Sequence, residues 1–307
     1  MAERMSARGI VGVFKAAFAE WSDDKASRLA AALAYYSAIS LAPLLIVLLG
    51  IAGLFFGREA ATGRIAAQVQ GLVGEQSAQV IQDIIKNADK PTTSLISSIV
   101  GTVILLLGAS GVFGALQDGM DTVWEVKPKP GRGVLGIIKD RFLSLTMVLG
   151  VGFLLLVSLA LSAALAALGT YLGGVLPLPQ LVLEIINLVL SFVVITLLFA
   201  LIFKVLPDVE IAWNDVWIGA AITALLFTVG KLAIGLYLGR SAVGNSYGAA
   251  GSLVVILIWI YYSAQILFFG AELTQVYTNR YGSRIKPSKD AEPVTEESRA
   301  QEGLSAA

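Results

Sequence analysis

The sequence predicts an all-α, polytopic membrane protein with six transmembrane helices, and three observations carry that expectation. Six apolar stretches, at about 29–56, 94–117, 143–168, 181–203, 216–238 and 251–273, each approach or exceed the roughly 20 residues a helix needs to cross a hydrocarbon layer of about 30 Å. Only 14% of residues are charged, and they fall almost entirely between the stretches. The stretches are continuously apolar rather than alternating, which suits helices that close their own backbone hydrogen bonds and not the strands of a barrel.

The spans occupy about half of the chain, leaving no room beside them for a separate soluble catalytic domain. There is no Cys and no His. Disulfides and thiol catalysis are therefore excluded, as are the usual hydrolytic zinc sites, His-based proton transfer and a Ser–His–Asp triad. The net charge is zero, so no global basic field would recruit nucleic acid. No Gly-x-x-x-x-Gly-Lys-Ser/Thr loop is present to hold a nucleoside triphosphate. The expectation is a protein without enzymatic activity, cofactor or metal.

Segment 1–28 precedes the first span and reads as a cytoplasmic segment with an interfacial helix. Ile10, Phe14, Ala17, Phe18 and Trp21 recur at helical spacing beside Arg8, Lys15 and Glu20, a pattern suited to the plane of the interface. The first apolar stretch is too long for a signal-peptide core and is taken as a retained span. Pro43 interrupts it, removing one backbone donor and either kinking the helix or opening a water-accessible pocket. Segment 58–93 is external and holds amphipathic stripes (Ile65, Val69, Leu72, Val73, then Val80, Ile81, Ile84, Ile85) divided by Gly71 and Gly74.

The second span carries Gly101, Gly108, Gly111 and Gly114, a small-residue face that permits close helix approach or, alternatively, lines a conduit. A basic cytoplasmic loop follows at 118–142. At its start Asp118, Asp121, Trp124 and Glu125 would mark a cytoplasmic mouth. The three acids share a helix face and either pair with the adjacent basic residues or hold a divalent cation, the former being the plainer role.

Lys231 is the most informative single residue, an ammonium within the fifth span. Charge at that depth marks a pathway or a buried partner by default, although the side chain could also snorkel outward. Its candidate counter-ions are Glu184 in the fourth span and Glu272 in the sixth. The stretch from Ala242 to Gly251, containing Asn245 and Tyr247, is Gly-rich and polar. It forms either an unwound entry to the sixth span or a tight turn. Segment 274–307 is a cytoplasmic tail; past Lys286 it has prolines, charges and no apolar period, and is expected to be largely disordered.

Lys and Arg set the orientation. They concentrate in the N-terminal segment, in the loop after the second span and beyond the sixth, and are sparse at 169–180 and 239–250. The positive-inside rule then puts both termini in the cytoplasm; segment 58–93 departs from the pattern with Arg58, Arg64, Lys86 and Lys90.

The chain resembles the YihY/BrkB family of bacterial inner-membrane proteins. The likeness rests on Ala30–Pro43, on Gly111 through Gln117 to Trp124–Lys127, on Tyr247–Gly251, on Trp259–Tyr262, on Gly270–Leu273, and on Lys231 and Tyr237. Asp121 stands where many members carry Asn. The resemblance implies six spans in an inner membrane, and members have carried virulence and ribonuclease labels. The ribonuclease label fits poorly, because a zinc nuclease of that type needs clustered His ligands. The function expected is translocation of an anionic lipid or envelope precursor, with membrane lipids as partners. The alternative is an envelope scaffold or assembly factor with protein partners. The small-residue faces would permit a homo-oligomer without requiring one.

Overall fold

A computed structural model describes residues 7–40, 111–129, 180–240, 251–283 and 285–301. Pro43, segment 58–93, most of the second span, the third span, the loop beyond Lys129, Asn245 and Tyr247 lie outside the described residues, as does most of the first span. The elements are α1 (Ala7–Asp23), helical segments 26–40 (α2) and 111–123 (α3), β1 (Val126–Pro128), α4 (Gln180–Val205), β2 (Val209–Glu210), α5 (Trp213–Arg240), α6 (Gly251–Tyr281), β3 (Lys286–Pro287), β4 (Ala291–Pro293) and α7 (Glu296–Gln301).

Among the described residues three helices are long and apolar enough to cross a membrane, through Leu188–Val205, Trp213–Ile234 and Leu253–Tyr281. They are the expected fourth, fifth and sixth apolar stretches. α6 runs two turns beyond the expected end of its stretch because Thr274, Gln275, Val276 and Thr278 are buried against neighbouring helices; their polarity does not expose them.

α5 and α6 pack antiparallel through a reciprocal pair of notches. A Cβ on Gly219 would fall within 2.7 Å of the Thr274 Cβ, and one on Gly270 within 2.8 Å of the Thr223 Cβ. Each threonine hydroxyl donates to a carbonyl of its own helix, Thr223 to Gly219 at 2.7 Å and Thr274 to Gly270 at 2.6 Å. Their polar groups are thereby satisfied, and the threonines fill the opposing glycine notches as small packing units. Phe227 of α5 stacks edge-on against Phe199 of α4 at 5.8 Å and against Trp259 of α6 at 6.4 Å, tying the three helices together.

α3 enters this core by the same device. Gly119 lies under the Phe268 ring, where a Cβ would be 2.5 Å from the nearest ring carbon, and Met120, Val123 and Trp124 are buried below it. Gly111 approaches Tyr36 of α2 as closely, whereas among the described residues nothing lies within 4 Å of a Cβ on Gly114. Of the expected glycine face, Gly111 and Gly114 are described, and Gly101 and Gly108 lie outside the described residues.

α1 lies on α6, burying Val13 and Ala17 against Leu273 and Val276, with Phe14 and Phe269 rings 6.3 Å apart. Ile10, Val11 and Phe18 stay exposed. The apolar face read from the sequence is thus divided between the protein and its surroundings, which suits a helix at an interface.

Of the residues past Lys286, those up to Gln301 are described, and they form strands and a helix where the sequence suggested disorder. β4 pairs antiparallel with β1, with Lys127 opposite Glu292, and β3 pairs with β2. Thr295 caps α7, accepting from the Ser298 amide at 3.3 Å. The tail lacks an apolar period because its order comes from partners elsewhere in the chain: backbone pairing, a buried Ala291, and a buried ion pair at Arg299.

Candidate functional site

Two features place ionisable groups inside this fold. The first is a cluster at the end of the bundle where the α1–α2 turn, the end of α3, the end of α6 and α7 meet. α1 stops at Asp23, and Lys25 reverses the chain with a φ of 52°. That turn buries Asp24, 3% exposed, against Arg299, also 3% exposed, with the guanidinium donating at 2.7 Å. In the turn after α3, Glu125 adopts φ 54°, a conformation glycine would hold at less cost. The position is occupied by a carboxylate that reaches Arg299 at 3.4 Å.

Glu272 completes the cluster from α6. It is fully buried, and neither carboxyl oxygen has a hydrogen-bond donor. The group within hydrogen-bonding reach of it is another carboxyl, that of Asp24, with Glu20 and Glu125 acting on it from further off. Burial raises the Asp24 pKa to about 6; Arg299 works against the rise, and the negative charges of Glu125 and Glu20 add to it. Burial likewise raises Glu20, followed by repulsion from Glu125. Arg299 contacts Asp24 and Glu125 directly, and Glu20 and Glu272 complete the group of acids at this end.

The second feature is Lys231. It is half-buried one turn beyond Phe227 on α5, and residues four apart share a helix face. That face is the one Phe227 turns toward Phe199 and Trp259, whereas Leu225, Val229, Leu232 and Leu236 are exposed. The inward face argues against simple snorkelling to lipid.

Neither candidate counter-ion shares the layer of Lys231. The Gly219–Thr274 and Thr223–Gly270 contacts set Glu272 about ten residues, or about 15 Å of helix axis, from Lys231. The Phe199–Phe227 contact sets Glu184, by its place along α4, about 16 Å away in the opposite direction.

The four residues at the expected mouth divide. Asp118 is exposed, while Asp121 is buried and accepts from the Asp208 amide at 2.8 Å. Trp124 is buried and Glu125 serves Arg299. Of the adjacent basic loop, Lys127 and Lys129 lie among the described residues. Lys127 meets Ser298 at 2.8 Å and Glu292 at 3.6 Å, and Lys129 donates to the Lys289 carbonyl at 2.8 Å. Among the described residues no three acidic side chains are grouped to hold a metal ion.

Sequence reasoning missed Arg299, Asp24 and Glu20. The available signal was Thr295 followed by Glu296 and Glu297, an N-cap with acidic residues in the first turn.

An apolar groove of about 410 Å³ runs between α1, α5 and α6. Phe18 and Trp21 close one end, Gly230 and Tyr262 lie along it, and the buried Gln265 Oε1 faces no donor.

Long apolar helices packed through glycine notches, with ionisable groups gathered at one end, define a membrane protein. The chain belongs to the family described as Virulence factor BrkB, which matches residues 17–295. It is similar to UPF0761 membrane proteins: 27% identical to that of Halorhodospira halophila over 82% of this chain and 54% of the relative. It is 24% identical to one from Rhodospirillum centenum over 86% and 57%, and 27% identical to one from Stenotrophomonas maltophilia over 82% and 57%. The chain therefore spans little more than half the length of these curated relatives. No solved structure matches it.

Proposed function

We propose that this chain is a six-span bacterial inner-membrane protein that translocates an anionic lipid or envelope precursor, without a catalytic step. Lys231 carries the reading: a lysine on the inward face of a membrane-length helix is costly unless it meets a charge that passes or resides there. The apolar groove offers a wall for acyl chains, with α1 and its exposed Ile10, Val11 and Phe18 lying where headgroups meet the bilayer. A cytoplasmic location for both termini is supported by α1 and the C-terminal elements gathering at one end of the long helices, in the segments richest in Lys and Arg.

Reconstituted protein bearing Lys231→Ala is the test of the residue's role. A folded variant that no longer moves anionic lipid supports a pathway at Lys231. A variant that moves lipid as the wild type does removes Lys231 from the path.

A second reading, an envelope scaffold, is favoured by the exposed apolar face of α1 and by the ordered tail. In that case Lys231 is structural, and Lys231→Ala should lower detergent stability.

A further inference from the structure

We propose that Asp24 and Glu272 bind one proton between them, and that docking of Arg299 competes with that proton. The site stands apart from lipid movement, because it rests on the end of the bundle and not on Lys231.

The argument starts from hydrogen-bond accounting. A buried carboxylate without a donor is among the most expensive groups a fold can hold. Glu272 has both oxygens in that position, fully buried, and its neighbour within reach is a second carboxyl. Two carboxylates only repel. A single proton converts the contact into a hydrogen bond in which one carboxyl donates and the other accepts, the arrangement two adjoining acids reach when both cannot ionise. With Glu272 donating, the Asp24 carboxylate accepts from Glu272 on one side and from the Arg299 guanidinium at 2.7 Å on the other. The three buried side chains are then satisfied as a chain.

The surroundings favour a proton over any larger ligand. From α1 come Glu20 and Asp23, from the end of α3 Glu125, and from α7 Arg299; Arg280 of α6 acts on Glu20. α5 meets this layer with Gly219 and Thr223, packed so tightly on Thr274 and Gly270 that no added methyl would fit. The described acids are not grouped to hold a metal ion.

Linkage supplies the regulation. Arg299 stabilises the ionised pair, so a docked tail eases proton release, and a protonated pair holds the tail less firmly. The proton site thereby ties the C-terminal helix to the turn that leads into the first span.

The test uses the full chain, purified in detergent, and follows the carboxylic-acid C=O stretch by infrared spectroscopy as pH is varied. The wild type should show a carboxylic-acid band that disappears as the pH is raised, because the pair holds one proton between two adjoining acids. Glu272→Gln should lose that band, and so should Asp24→Asn, each amide replacing the shared proton with its own N–H. Arg299→Gln should keep the band and move its midpoint upward by about one pH unit, the lower end of the effect of an adjacent opposite charge. A wild-type spectrum without the band overturns the site even if the variants do not fold. A band undiminished in Glu272→Gln does the same. A midpoint unmoved or lowered in Arg299→Gln overturns the competition.

Discussion

Arg299 donates to Asp24 across 2.7 Å, although 275 positions separate the two in the chain. This contact fastens the C-terminal helix to the turn between α1 and α2. It also brings a positive charge to the acids Glu20, Glu125 and Glu272, with Arg280 acting on Glu20 as well. The end of the molecule is organised around this pair, and its consequences can be measured.

Arg299→Ala should destabilise the protein by roughly 3 kcal/mol, the lower end of the cost of breaking a buried pair, because Asp24 can take up a proton in compensation. Thermal unfolding in detergent would show the loss, and limited proteolysis should cut 285–301 faster. Glu125→Asn should cost less, on the order of 1–2 kcal/mol, the scale of a charge-assisted hydrogen bond. Asn accepts the left-handed backbone that Glu125 adopts, so the charge is the main loss.

The pH dependence follows from Asp24. Its folded pKa of about 6 lies above the unfolded value of 3.8, so the folded state holds the proton more tightly. This group's contribution to stability should therefore increase as pH falls from about 6 toward about 4 and level off below, a change on the order of 3 kcal/mol. Melting temperatures of wild type and Asp24→Asn should differ in slope across that window. Parallel curves would show that Asp24 does not titrate there.

The glycine notches separate into positions that tolerate a methyl and positions that do not. Gly219→Ala should destabilise by at least 1–3 kcal/mol, the usual cost of overpacking, since its Cβ would fall within 2.7 Å of the Thr274 Cβ. Thr274→Gly in the same chain should recover part of the loss. Gly114→Ala, with none of the described residues within 4 Å of the new methyl, should be neutral or stabilising by up to about 1 kcal/mol. Equal effects at Gly219 and Gly114 would contradict the packing described.

The membrane-length helices were legible because their signal is local and continuous: 181–203, 216–238 and 251–273 each reappear inside a single helix. The helix α1 was legible for the same reason, through Phe14, Ala17 and Phe18. The ordered tail was not, because Lys286–Pro293 acquires its structure from β1 and β2, more than 70 residues away in the chain. Within the candidate site, Lys231 and Glu272 stood out as charges in apolar stretches. Glu272 gave no sequence signal that its neighbour would be Asp24, since that contact depends on how α1 turns back at Lys25.

Translocation itself is tested most directly by the purified wild-type chain in liposomes carrying labelled anionic or zwitterionic lipid. The account predicts that anionic lipid crosses between leaflets faster than in protein-free liposomes and faster than the zwitterionic probe. Movement no faster than in protein-free liposomes, from a sample that unfolds cooperatively, would contradict it.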